Sequence, residues 1–303
     1  MKFGKVEDVS GIDFNLPDTP AETIRVLKKA RRSRKSLRVS VGSAQWGDKN
    51  LVGKIYPKKT PAKKYLYHYS RHFHTIELNT THYRIPSAEQ VKQWLDMSKE
   101  GFLFCPKFPQ IISHRYDFGL NSRATENFAE SLSYFGEHLG IPFMQLPTYL
   151  DSGARGKLVQ YISQWPKHRP MALELRHDSW FADPEVLNEI LALLEEKKLG
   201  TVITDTAGRR DVIHMRLTSP TAVIRFVGNS LHDSDYRRID EWVNKLEYWV
   251  DLGLHQLFFF VHQPTEDKCV DLAVYLIKQL NEVLALDLVP PRPLDVGVQQ
   301  RLF

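Results

Sequence analysis

The chain has 303 residues, of which 42% are hydrophobic and 25% are charged. These fractions are typical of a folded globular protein, so they exclude a disordered chain and a small scaffold held together by disulfides. The formal net charge is +5, but one short run of seven basic residues carries more than this excess, so the rest of the chain is slightly acidic.

Residues 1–36 are predicted to form an N-terminal extension with a basic helix. The basic run consists of Lys28, Lys29, Arg31, Arg32, Arg34, Lys35 and Arg38. Such a run can bind phosphate backbones, but no aromatic residues are interleaved here, and Ser33 and Ser36 suit a solvated helix end. Nucleic acid is therefore a possible partner that the sequence does not favour.

After residue 36, short strand-like runs alternate with amphipathic helical windows. The predicted strands are Leu37–Ala44, Thr75–Asn79, Phe102–Lys107, Ile141–Leu146, Met171–Arg176, Thr201–Asp205, Ala222–Val227 and Gln256–Val261. The predicted helices are Ala62–His72, Ala88–Ser98, Ala124–His138, Lys157–Gln164, Pro184–Glu196, Arg237–Leu252 and Val270–Leu284. Repeated strand-then-helix units indicate parallel strand pairing.

Eight such units favour an α/β fold of the (β/α)8 TIM type, which we place at residues 37–287, with a tail at residues 288–303. An open doubly wound sheet is less favoured because no Gly-x-Gly-x-x-Gly follows an early strand. The stretch 206–221 has too few apolar residues for a full helix, so the sixth helix should be short or missing.

Two further observations concern the compartment. The chain has only two cysteines, Cys105 and Cys269, far apart in sequence, which indicates a reducing environment. The N-terminal residues do not resemble a signal peptide, and no apolar run is long enough to span a bilayer. We therefore expect a cytoplasmic protein without a membrane partner.

Strand parity predicts a cluster of ionisable side chains. Barrel strands alternate between residues facing the helices and residues facing the lumen, and active sites lie at the carboxyl ends of the strands. If Ile76 and Leu78 on the second strand face the helices, Glu77 and Asn79 face inward. If the two leucines on the fifth strand face outward, Glu174 and Arg176 face inward, and Gln145 lies near the end of the fourth strand. Six charged residues should then converge at one mouth: Glu77, Lys107, Glu174, Arg176, Asp205 and Arg225.

Burying a charge without a partner costs several kcal/mol, so such a cluster requires pairing, water or a ligand. A salt-bridge plug that only closes the barrel is one explanation. Because buried ion pairs are poor sources of net stability, we favour a functional pocket.

Five motifs resemble the YecE-like family, also known as domain of unknown function seventy-two. They are VGSAQW, TIELNTTHYRIPS, FLFCPKFPQIISH, FMQLP and ALELRHDSWF, and the similarity spans Val39 to Leu284. The resemblance implies a TIM-type barrel with motif residues at the strand ends and no established activity. It points to Trp46, Glu77, Asn79, Tyr83, Lys107, His114, Gln145, Glu174, Arg176, His177, Trp180 and Arg225.

Two positions depart from the family pattern. Where the family often has Arg-x-His-Gly, this chain has Arg225-Phe226-Val227-Gly228-Asn229, and where it often has Phe-Asn-Asn, this chain has Phe260-Val261-His262-Gln263. We add Asn229 and His262 to the ligand-binding candidates because these changes could alter what the rim of the pocket recognises.

The leading hypothesis is an enzyme that acts on a small polar or anionic ligand, such as a sugar acid or a sugar phosphate. Lys107, Arg176 and Arg225 would hold the anion. Glu77 or Glu174 would act as general acid or base, because a carboxyl group in a dry lumen should have a raised pKa. Asp205 is the third catalytic candidate.

Two alternatives stay open. A metal-dependent hydrolase or isomerase would use Glu77, Glu174, Asp205 and either His177 or His262, but the histidines show no compact ligand spacing and no metal site is assigned. A non-catalytic ligand- or RNA-binding protein would stack a ring on Trp46, Tyr83, Trp180 or Phe226. The sequence does not identify a cofactor.

Overall fold

The computed structural model describes residues 4–31 and 37–294. These residues contain eight strands. The strands are β1 (Arg38–Ser43), β2 (Thr75–Leu78), β3 (Leu103–Pro106), β4 (Phe143–Gln145), β5 (Ala172–Glu174), β6 (Gly200–Asp205), β7 (Thr221–Val227) and β8 (Gln256–His262). Every strand lies within two residues of its predicted position at its start and within three at its end.

Eleven α-helices, several of them only one turn long, accompany the strands in the described part of the chain. They are α1 (Ala21–Lys29), α2 (Tyr65–Tyr69), α3 (Thr80–Tyr83), α4 (Ala88–Met97), α5 (Gln110–Ser113), α6 (Ala124–Ser133), α7 (Arg155–Gln164), α8 (Ser179–Ala182), α9 (Pro184–Glu196), α10 (Asp233–Leu252) and α11 (Glu266–Leu284). None of the helices in residues 4–31 and 37–294 combines the length and the apolar character needed to cross a bilayer.

The strands form a nearly closed parallel barrel. Their order is β3-β2-β1-β8-β7-β6-β5-β4, and single parallel bridges, Phe104 with Leu139 and Lys107 with Phe143, join its two edges. This confirms the predicted (β/α)8 barrel. Between β6 and β7, the described chain forms only a short 3-10 turn at Arg210–Val212, which confirms that the sixth crossover lacks a full helix.

Helix α1 packs beside this crossover. The Thr23 hydroxyl donates to the Met215 carbonyl at 3.1 Å and accepts from the Leu217 amide at 2.9 Å. Arg25 forms an ion pair with Glu195 of α9, and Leu27 is fully buried. The N-terminal helix therefore covers a flank of the barrel that has no crossover helix of its own.

The lumen contains an apolar layer below a polar one. Alternation along β7 places Val223 and Arg225 inside and Ile224 and Phe226 against the outer helices, because the first pair packs in the lumen and the second pair in the outer core. The apolar layer consists of Cys105, Ile141, Phe143, Ala172, Val202, Val223, Phe258 and Phe260. The next inward positions toward the carboxyl ends of the strands bear the polar side chains described below.

Candidate functional site

Arg225 lies between two buried carboxylates. Its Nε and Nη2 donate to Oε2 and Oε1 of Glu77 at 2.9 and 2.8 Å. Its Nη1 donates to Oε1 and Oε2 of Glu174 at 3.0 and 2.8 Å. All three side chains are at most 2% exposed. The structure therefore brings the two predicted carboxylates and the predicted arginine together across the lumen.

Further polar groups surround Glu174. Arg176 Nε donates to Oε1 at 2.7 Å, and so does the Thr204 hydroxyl at 2.9 Å. Gln145 Nε2 donates to Oε2 at 2.9 Å. Thr204 was not predicted from the sequence, because Val202 and Ile203 before it are both apolar and do not indicate which face of β6 points inward.

Two more predicted residues complete this cluster. Lys107 Nζ donates to Gln145 Oε1 at 2.8 Å, so the amide of Gln145 links the lysine to Glu174. His262 Nε2 lies 3.0 Å from Glu77 Oε2 and donates to it. We refer to Glu77, Lys107, Gln145, Glu174, Arg176, Thr204, Arg225 and His262 as the lumen network.

The expectation of a raised carboxyl pKa was wrong. Burial alone would raise the pKa of Glu77, but the attraction and hydrogen bonds of Arg225 and His262 together outweigh it and hold the pKa well below its ordinary value. Burial opposes ionisation of Glu174 as well, yet Arg176 and Arg225 lower its pKa to about 2. Both carboxylates are consequently ionised at neutral pH, and neither carries a proton to donate.

The pKa values of three basic groups near the mouth are lowered, which favours their neutral forms. Burial, together with repulsion from Arg225, lowers the pKa of Lys107 to about 8. Burial and the neighbouring His82 lower the pKa of His114 to about 4. Burial also lowers the pKa of His262, despite the opposing attraction of Glu77. With a pKa of about 8, Lys107 can lose its proton slightly above neutral pH.

Asp205 does not face the lumen, so its predicted placement was wrong. It is fully buried on the outer side of β6, where it pairs with Arg238 at 2.8 Å and with Arg210. Trp242 Nε1 donates to its carboxylate at 2.8 Å. Arg238 and Trp242 belong to α10, which explains why Asp205 points outward while Thr204 before it points inward.

The three candidate stacking aromatics that pack within the fold also lie outside the lumen. Trp180 is fully buried in the outer core, and its indole nitrogen donates to the Leu150 carbonyl at 2.8 Å. Trp46 packs edge-on against Trp94 and Phe104 with ring centroids 6.1 and 6.5 Å apart. The guanidinium of Arg238 lies over the ring of Phe226, with Cζ 4.1 Å from the ring centroid. These rings stabilise the contact between barrel and helices.

The remaining candidates lie in the segments that follow the strands, in loops or at the ends of short helices. Asn79 Nδ2 donates to the Ala44 carbonyl at 3.3 Å, and Asn229 is held by three hydrogen bonds to the Asp235 carboxylate. His177 contacts the Ser179 hydroxyl. Tyr83 is 75% exposed, and His114 is half-buried. The ring of His114 lies 4.7 Å from that of His82, a residue that was not predicted from the sequence.

Comparison with known proteins identifies the family. Residues 40–294 match the family described as "Protein of unknown function DUF72". The chain belongs to the DUF72 family. That description names no activity, so the match identifies the family without naming a reaction.

Relatives and a solved structure agree with this assignment. The chain is 27% identical over 237 residues to the UPF0759 protein YecE of Escherichia coli K12, covering 71% of this chain and 85% of YecE. It is 31% identical over 156 residues to the UPF0759 protein YunF of Bacillus subtilis, covering 48% of this chain and 53% of YunF. A crystal structure of a DUF72 family protein from Enterococcus faecalis superposes with a TM-score of 0.65 at 20% identity, covering 85% of this chain and all of that one.

In this DUF72 chain, a cavity of about 630 Å³ adjoins the lumen network at the carboxyl ends of β7 and β8. Its wall includes His262 and Gln263 on one side and the N-terminal stretch Lys5 to Val9 on the other. Gly4 fixes this stretch, because its carbonyl accepts from the Thr206 hydroxyl and the Gly208 amide at 3.0 and 2.8 Å. The N-terminal extension therefore narrows one side of the mouth.

A larger cavity, of about 880 Å³, lies at the opposite mouth of the DUF72 barrel. Strand starts such as Thr221 and Gln256 line it, together with Lys29 and Arg38 from the two ends of the basic run. No member of the lumen network lines it, so the larger of these two cavities is not the one that adjoins the buried charges. Residues 32–36 of the basic run lie outside the described residues.

Metal ligation was the other alternative raised by the sequence. In residues 4–31 and 37–294 of the DUF72 chain, no group of three or more His, Cys, Asp or Glu side chains is arranged to hold a metal ion. The carboxylates proposed as ligands instead receive hydrogen bonds from arginine: Glu77 and Glu174 from Arg225, and Asp205 from Arg238 and Arg210.

Proposed function

We propose that this protein is an enzyme that binds a small polar or anionic molecule at the carboxyl-end mouth of the barrel. The observation that supports this most is the Glu77–Arg225–Glu174 triad, in which three charges are buried together in the lumen. Apolar filling would stabilise the barrel at least as well, because desolvating such charges offsets most of their attraction. A preorganised electrostatic site is a physical reason for placing them there.

The net charge of the lumen network is suited to an anionic ligand. Glu77 and Glu174 contribute two negative charges, and Arg225, Arg176 and protonated Lys107 contribute three positive ones. Arg176 and Lys107 lie at the edge of the lumen network, toward the mouth. A carboxylate or phosphate group would therefore find excess positive charge with a guanidinium capable of bidentate contact.

The lowered pKa values assign different roles from those expected of neutral carboxyl groups. Ionised Glu77 and Glu174 orient Arg225 and stabilise positive charge that develops during a reaction. Proton transfer then falls to groups whose pKa lies closer to neutrality, and Lys107, with a pKa of about 8, is such a group in the lumen network.

Ligand-induced stabilisation tests this function. A ligand at a hundred times its Kd stabilises a folded protein by about 2.7 kcal/mol, so glucose 6-phosphate and glucuronate should raise the melting temperature while glucose should not. The increase should be lost in Arg176→Met and retained in Arg115→Met, an exposed arginine paired with Asp117. Equal stabilisation of both variants, or none with either anion, would contradict the proposal.

A further inference from the structure

Lys107 is anchored more firmly than its position at the end of a strand would suggest. Its backbone amide donates to the Leu78 carbonyl at 3.1 Å, and the next amide, of Phe108, donates to the Phe143 carbonyl at 2.9 Å. Its own carbonyl accepts from the Thr81 hydroxyl at 2.7 Å. The lysine backbone is thus fixed on both neighbouring strands and on the loop that follows β2.

The side chain of Lys107 has a neutral partner within a charged cluster. Gln145 donates its Nε2 to Glu174, so its Oε1 is the atom directed at the lysine, 2.8 Å from Nζ. In the described part of the chain, no carboxylate lies within ion-pair distance of Nζ, because Glu77 and Glu174 are engaged by Arg225, Arg176, Thr204 and His262. An uncharged amine can keep this hydrogen bond and still present its lone pair.

Burial and the charged groups around Lys107 together bring its pKa closer to neutral pH. Burial has the largest effect, Arg225 and Arg176 also repel the proton, and the attraction of Glu77 and Glu174 opposes these effects in part. His82 and His114 also interact with Lys107, and both have lowered pKa values. A lysine becomes a nucleophile when desolvation and neighbouring cations remove its proton near neutral pH.

From this arrangement we propose that Lys107 is a carbonyl-reactive amine, and that the ligand is an aldehyde or ketone bearing a carboxylate or phosphate group. This inference rests on the proposed function, because it uses the same mouth and assigns the anionic group to Arg176. Lys107 then forms a covalent imine with the carbonyl carbon of the ligand.

The step balances without an external oxidant or reductant. The Nζ lone pair forms a bond to the carbonyl carbon, the C=O π electrons move to oxygen, and one proton passes from the nitrogen to that oxygen to give a neutral carbinolamine. The C–O bond then breaks, oxygen leaves as water after a second protonation, and nitrogen forms the C=N bond. Amine, carbonyl compound and one proton yield a protonated imine and one water.

Reductive trapping tests the inference. The full-length protein is incubated with glyoxylate, pyruvate or dihydroxyacetone phosphate, reduced with sodium borohydride, and analysed by intact mass and peptide mapping. We expect a single adduct on Lys107 with at least one probe, at least tenfold above any other lysine. The adduct should disappear in Lys107→Arg, which keeps the positive charge, and persist in Lys92→Met, which alters an exposed lysine.

The pH profile provides a second readout that does not depend on the variant folding. Trapping at Lys107 in the unaltered protein should rise to half its maximum near pH 8, whereas a lysine amine with the ordinary pKa of about 10.4 gains reactivity only at higher pH. No Lys107 adduct with any of the three probes, or labelling of Lys107 no faster than Lys92, would overturn the inference. If the anions stabilise the unaltered protein but not Arg176→Met, and no Lys107 adduct forms, the imine proposal is overturned while the proposed function stands.

Discussion

Arg225 and Glu77 form a bidentate ion pair, with N–O distances of 2.9 and 2.8 Å, inside a barrel lumen that leaves each side chain at most 2% exposed. Replacing Arg225 with Met should therefore leave Glu77 and Glu174 buried without their shared cation. Removing one partner of a buried pair costs about 3–5 kcal/mol of unfolding free energy. Urea denaturation measures this loss.

A matched pair of variants identifies its cause. Lys92→Met breaks an exposed ion pair with Asp96 and should change stability by no more than about 0.5 kcal/mol. Adding Glu77→Gln and Glu174→Gln to Arg225→Met should recover part of the lost stability, because the uncompensated charges are then gone. A triple variant less stable than Arg225→Met alone would show that packing, not charge, dominates.

The lowered pKa of Glu174 predicts how stability depends on pH. A carboxyl group whose pKa falls from its ordinary value to about 2 on folding stabilises the protein above that ordinary value. This contribution, on the order of 3 kcal/mol, is lost as the pH falls toward 2. The unfolding free energy of Glu174→Gln should thus lie furthest below that of the unaltered protein at neutral pH, and the gap should shrink in acid. A gap that stays constant from pH 7 to pH 2.5 would contradict the assigned ionisation.

Asp205 should contribute to stability without contributing to the site. Asp205→Asn removes the negative charge shared by buried Arg238 and half-buried Arg210, so we expect a loss of about 3 kcal/mol or more in urea denaturation. Binding of glucuronate, followed by calorimetry at a temperature where the variant is folded, should change less than twofold. A tenfold loss of binding would place Asp205 back among the residues that act on the ligand.

Gly208 offers a way to displace the N-terminal stretch from the mouth. A Cβ at this position would lie 2.9 Å from Val6 Cγ1 and 3.0 Å from the Gly4 carbonyl oxygen, closer than side-chain packing allows. Gly208→Ala should therefore accelerate amide hydrogen exchange in residues 4–9 by tenfold or more, with little change elsewhere. Gly47→Ala is the control, because a Cβ there meets no atom within 4 Å. Unchanged exchange in residues 4–9 would mean that the contact with Gly208 does not hold the stretch in place.

The barrel and much of its polar lumen could be predicted from the sequence because the pattern on most strands is unambiguous. On β2 and β5, leucines alternate with glutamates, so the parity of Glu77 and Glu174 follows directly. On β7, Arg225 between Ile224 and Phe226 is equally clear. The prediction that these three side chains share the lumen is confirmed by their contacts.

Other features depend on information that is not local. The parity of Asp205 follows from Arg238 and Trp242, two partners more than thirty residues later in the chain. The low pKa of Glu174 depends on the distance to Arg225, which strand order alone does not supply. The residues around Trp180 in the sequence fit a ligand-binding role and a packing role equally well. Its hydrogen bond to the Leu150 carbonyl, seen only in the structure, identifies the packing role.

Adjacent residues on β6 thus belong to two separate sets of ionic contacts, with Thr204 bound to Glu174 inside the barrel and Asp205 bound to Arg238 outside it. Shifting β6 by one residue would turn Asp205 toward Glu174 and remove it from Arg238 and Arg210, whereas Val202 and Ile203 would exchange places at little cost. The register of β6 with its neighbours is therefore determined by the polar contacts of Thr204 and Asp205, because the apolar residues of this strand fit either face.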